Sequence, residues 1–166
     1  MARANGRVMK RALLTLAFAA AATMATAQDP TARNADVDFG ESQPLVIKSE
    51  GGEHTLMVEE AKTLAQQARG MMWRESVDPD TGMIFEFAEP KIATIWMKNT
   101  AVPLDILFVR SNGKILKIEH NAQPFKLRSA SSEAVVAAVI ELKGGRALEL
   151  GIRPGDTVEH DFFAAE

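Results

Sequence analysis

The chain has 166 residues, of which 46% are hydrophobic and 25% charged, with a formal net charge of −3 and no cysteine. The missing cysteine excludes disulfide staples, thiolate metal ligands, a Cys nucleophile and a thioether lipid anchor, so the fold must rest on its core alone. Four of the 19 basic residues, Arg3, Arg7, Lys10 and Arg11, lie in a leader whose loss leaves 15 basic against 22 acidic side chains. That is a net −7 with no basic run, which argues against a nucleic-acid partner.

In chain order, those four residues form the positive n-region of a secretory signal, residues 12–24 its apolar stretch, and Ala25-Thr26-Ala27 its small-residue cleavage site. The apolar run falls short of the ~20 residues of a membrane span. The expectation is cleavage after Ala27 and export to the periplasm or outside the cell, with no span left afterwards. Residues 28–43 are polar and without period, and read as a flexible linker. A single β-rich domain of residues 44–166 follows.

Residues 45–47 and 55–59 read as strands about a Gly51-Gly52 turn. Thr63 with Gln66 fits a capping box, and Gly70 is the natural stop of the helix it opens. Pro79 and Gly82 bracket a loop; Asp78-Pro79-Asp80 lacks the later ligands a calcium loop needs and reads as an ordinary turn. Strands are predicted over residues 83–87 and 92–97, the latter with Ile92, Thr94 and Trp96 on one face and Ala93, Ile95 and Met97 on the other. Residues 104–109 pair with 115–119 across Asn112-Gly113, a strong hairpin signal. An apolar strand over 134–142, a short helix over 146–150 stopped at Gly151, and a last strand over 157–162 complete the chain. About eight short strands and two short helices predict a mainly β (α+β) fold, a compact antiparallel β-barrel-like domain.

With these segments in order, the chain resembles the exported family of domain of unknown function 192. The resemblance is carried by Ala68-Arg69-Gly70-Met71-Met72-Trp73-Arg74, Gly82-Met83-Ile84-Phe85-Glu86-Phe87, Trp96-Met97-Lys98-Asn99-Thr100 and Pro103-Leu104-Asp105-Ile106. Glu119, Asn121-Ala122-Gln123-Pro124, Glu141-Leu142 and Gly151-Ile152-Arg153-Pro154-Gly155-Asp156 extend it over about residues 55–160. It implies one barrel-like domain with flanking helices and transfers no catalytic residue. One departure is the loop after Pro124, where similar proteins often carry Pro-Ser-Gly-type turns and this chain has Lys126-Leu127-Arg128-Ser129.

The Trp96–Asp105 neighbourhood sets polar side chains among apolar strands, where each needs a partner. Asp105, with Leu104 and Ile106 on the opposite facing, is either braced by a structural network or part of a cleft. The candidate cleft is bounded by Arg69, Trp96, Lys98, Asn99 and Asp105 with Glu119 nearby, and would hold a small anionic or polar ligand. Two alternatives come from other classes. One is a periplasmic hydrolase using Asp105 or Glu119 with His120 as base; the other is a protein-interaction subunit of an envelope complex presenting Met71-Met72-Trp73. No hydrolase motif or phosphate cradle is present, and the reading leans away from an enzyme. The methionines and the three histidines raise a Cu(I) site. Met57, Met83 and Met97, however, alternate with apolar residues as a core does, so no metal and no cofactor are expected. Protein partners are not legible.

Overall fold

The structure is a computed structural model and describes residues 28–164; the expected signal peptide lies outside the described residues. One seven-stranded sheet carries the fold, in the order β5-β4-β6-β3-β2-β1-β7. β1 (Gln43–Ser49) and β2 (Gly52–Ala61) form a hairpin, and α1 (Leu64–Arg69) follows. β3 (Thr81–Ile95) is the longest strand, β4 (Leu104–Val109) and β5 (Ile115–Ala122) make a second hairpin, and β6 (Ala130–Lys143) pairs with both β3 and β4. α2 (Arg146–Glu149), β7 (Thr157–Glu159) and α3 (Asp161–Ala164) close the chain.

The sheet curls into a half-barrel, as the sequence predicts. Its two edges meet at one corner, where Lys114 bridges to Thr157 and the Val158 amide donates to the Gly113 carbonyl at 2.8 Å. Gly113 has φ +72°, and a Cβ there would stand 2.5 Å from the Val158 carbonyl oxygen. The Asn-Gly turn therefore both reverses the hairpin and lets its tip lie against β7.

Three features differ from the sequence expectation. β2 and β3 run parallel, because the chain between them crosses over through α1 instead of turning back. The two strands predicted over 83–87 and 92–97 are one strand, interrupted by bulges. Between the pairs Glu86–Ala138 and Lys91–Val136, four β3 residues ending in Pro90 face one residue of β6. The predicted last strand ends at Glu159, and Asp161–Ala164 is a helical turn, which brings both Phe162 and Phe163 against the core with ring centroids 5.1 Å apart.

Each face of the curled sheet buries a cluster. Leu45, Ile47, Leu56, Val58, Ile84, Leu107, Ile140 and Leu142 fill the first. Met83, Phe85, Phe87, Leu104, Ile106, Phe108 and Val139 fill the second. The alternation of β4 splits it between them, so every residue of that strand is buried. Of the methionines read as core, Met83 and Met97 are buried, whereas Met57 is 41% exposed on the outer side of β2.

Candidate functional site

Two register shifts in the β3–β6 pairing, the first with its extra residues on β3 and the second on β6, lie beside a cavity of about 360 Å³ between the far end of β3 and the turn that follows α1. The end of α1 and the following turn, Gln67 to Met72, form one wall. Phe85, Phe87 and the Lys91 to Trp96 edge of β3 form the other, Thr100 touches the side, and Glu141 of β6 lies at the base. Gly70 closes the helix with φ +46°, and its Cα side rests on the Phe85 ring, where an added Cβ would sit 3.1 Å from the ring edge. Ser132 restores the ladder across the second bulge: its hydroxyl accepts from the Ala93 amide at 2.9 Å and donates to the Ala134 carbonyl at 2.7 Å. Ile92 and Trp96, 59% and 61% exposed, stand at the rim.

Glu141 is the polar group that distinguishes this cavity. It pairs in register with Met83 on one side and Ile106 on the other, both members of the second apolar cluster. Its side chain takes none of the hydrogen bonds found among the described residues. Burial pushes its carboxyl up to about 8, only partly opposed by the Arg74 guanidinium, which is itself paired with Glu59. Burial thus favours the protonated form of Glu141, which can both donate and accept a hydrogen bond. Asp105, one rung away on β4 and facing the other way, is the reverse case. Its Oδ1 accepts from the amides of Asn121 (2.7 Å) and Gly145 (3.0 Å), and its Oδ2 from that of Ala147 (2.8 Å). Gly145 is the N-cap of α2 and has no side chain to offer, so Asp105 caps that helix from another strand.

The family model of DUF192, an uncharacterised ACR, matches residues 45–160. The chain belongs to the DUF192 family. It is similar to a protein of Sinorhizobium meliloti 1021 regarded as a candidate transcription regulator, at 37% identity and a TM-score of 0.73, over 77% of this chain and 99% of that one. It is also similar to a protein of unknown function from Novosphingobium aromaticivorans DSM 12444, at 35% identity and a TM-score of 0.71, over 81% and 99% of the two chains. No curated protein matches it.

Within this DUF192 domain, the residues singled out from the sequence are dispersed. Arg69 and Trp96 line the cavity. The Arg69 guanidinium also donates to the carbonyls of Pro30 and Ala32, and the Trp73 indole donates to Thr31, so the polar segment before β1 is held along α1. Lys98 is exposed on the adjoining turn. Asn99 holds that turn in the left-handed region (φ 57°), and its carbonyl accepts from the Trp73 amide at 2.9 Å. Asp105 faces the opposite side of the sheet. Glu119 and His120, both exposed, line a separate cavity of about 280 Å³ together with Lys117, Lys126 and Arg128. Of the apolar segment Met71-Met72-Trp73, Met71 is buried and the other two are half-buried.

Sequence reasoning passed over Glu141. Its signal was the one that drew attention to Asp105: a single carboxylate in an otherwise apolar strand, here Val135 to Leu142. No helix among the described residues of the DUF192 domain is long and apolar enough to cross a membrane.

Proposed function

We propose that this DUF192 domain is an exported binding module, acting in the periplasm or outside the cell, for a small molecule with an apolar body and one hydrogen-bonding group. The observation that carries the reading is Glu141, a buried residue that lines a cavity walled by Phe85, Phe87, Ile92 and Trp96 and whose carboxyl takes no hydrogen bond among the described residues. A buried acid without protein donors is unfavourable for the fold and is compensated once a ligand supplies the missing bond. Ligand sites commonly have this make-up, apolar walls with few polar anchors, and the volume suits a small ligand.

The polar form of the ligand is better supported than the anionic one. The group at the base is an acid, the Arg69 guanidinium is engaged with backbone carbonyls, and the Lys91 ammonium sits 4.0 Å from the Phe87 ring centroid. The hydrolase alternative keeps Glu119 and His120 but loses Asp105, whose carboxylate is fully buried and bonded to three amides.

Benzylamine, benzyl alcohol and benzoate, titrated while amide and indole NMR shifts are followed, test the proposal. The amine and the alcohol are expected to shift the Ala93, Thr100 and Trp96 signals saturably, and to lose that effect in Glu141→Leu. Binding of benzoate alone, or undiminished binding to the Leu variant, overturns it.

A further inference from the structure

Away from the cavity, Glu60 of β2, Glu86 of β3 and His160 at the β7–α3 junction converge at one end of the sheet. One donor atom from each lies within 4.8 Å of the other two. Two of these groups hold side-chain polar atoms that are fully cut off from solvent and have no hydrogen-bond partner among the described residues, Glu86 Oε1 and His160 Nε2. The His160 side chain is only 1% exposed, and its Nε2 stands 3.8 Å from Glu60 Oε1, too far for a hydrogen bond. Buried polar atoms are rarely left unpaired, and here both fall on one cluster.

We propose that Glu60, Glu86 and His160 form a binding site for a divalent transition-metal ion of the zinc class. Two carboxylate oxygens and one imidazole nitrogen are the donor types that such ions accept, and three protein ligands leave room for water. Ligands around an ion at ~2.1 Å stand ~3–3.5 Å apart, so the present separations close by small side-chain rotations. Supply from three separate elements gives convergence from different directions. A surface cavity lined by Glu60, Lys62, His160 and Asp161 gives an ion access from solvent.

Two local contacts define what binding must displace. The Lys62 ammonium lies 2.9 Å from Glu60 Oε1, and its side chain is 54% exposed, so it can swing into solvent when an ion takes its place. His160 Nδ1 accepts from the Phe162 amide at 3.3 Å, which puts the ring proton of the neutral imidazole on Nε2. Coordination through Nε2 moves that proton to Nδ1 and releases the Phe162 amide. The amide is therefore a local reporter.

Titration of the full chain with zinc chloride, read by calorimetry and by the Phe162 amide signal, tests the site. One ion per chain is expected, with affinity at least tenfold weaker in His160→Gln and unchanged in His120→Gln. Lys62→Ala is expected to tighten binding, because it removes the competing ammonium; a structural ion-pair network would give no such gain. If His160→Gln does not fold, Glu86→Gln takes its place in the same titration. No saturable uptake, equal affinity in the ligand variants, or weaker binding in Lys62→Ala overturns the proposal.

Discussion

Asp105 and Glu141 sit on neighbouring strands one rung apart, Asp105 beside Leu142 and Glu141 beside Ile106, and both are buried. Their surroundings are opposite. Asp105 meets three backbone amides at 2.7–3.0 Å, while Glu141 meets apolar side chains and a cavity. Burial alone therefore says little about what an acidic residue is for; the number of donors waiting for it says more. A carboxylate that completes a helix cap and a loop belongs to the fold. A carboxyl left without donors weakens the fold, and on the function proposed here its partner is a ligand.

The largest effect that could break this comparison is at the satisfied site. Asp105→Ala strands the amides of Asn121, Gly145 and Ala147 and uncaps α2. Urea unfolding is expected to show a loss on the order of 3–5 kcal/mol, with a smaller loss in Asp105→Asn. A loss below ~1 kcal/mol would mean that the three bonds contribute little and that Asp105 is kept for another reason.

A smaller effect sharpens the other half. Folding raises the Glu141 carboxyl from its ordinary 4.5 to about 8. Between those values the folded chain holds a proton that the unfolded chain has lost, so this group's contribution to stability falls as pH rises through the window. The slope approaches ~1.4 kcal/mol per pH unit, a few kcal/mol in all. Glu141→Gln removes the slope. Melting curves from pH 4 to 9 are expected to show the variant gaining on the wild type steadily up to about pH 8 and no further. Parallel curves would place Glu141 among satisfied groups.

The smallest effect is expected at Lys98, which is exposed on its turn. Lys98→Ala is expected to change stability by less than ~0.5 kcal/mol in the same unfolding measurement. A loss of several kcal/mol would show that the turn depends on this charge.

How much was legible follows from the reach of each interaction. The capping box of α1 is complete within four residues: the Gln66 amide donates to Thr63 Oγ1 at 3.2 Å, and the Thr63 amide to Gln66 Oε1 at 2.9 Å. The Asn112-Gly113 hairpin is equally local, and so are the Gly70 stop and the alternation that buries Ala93 and Met97 while exposing Ile92 and Trp96. The candidate site was half legible. Arg69 and Trp96 reach the cavity, but the donors to Asp105 lie 16, 40 and 42 residues along the chain. No local pattern could show that Asp105 was satisfied and Glu141 was not.

The sequence by itself determined most of the strand positions, the first helix and its ends, and the family, because propensity, side-chain period and capping act over a few residues. Tertiary structure alone decided three things. The crossover through α1 made one strand pair parallel. A cavity lined by Glu141 lies beside the bulges around Pro90 and Ser132. The meeting of β2, β3 and the β7–α3 junction brought Glu60, Glu86 and His160 within reach of one ion. Each depends on which distant segments pack together, and a linear pattern of residue types does not encode that pairing.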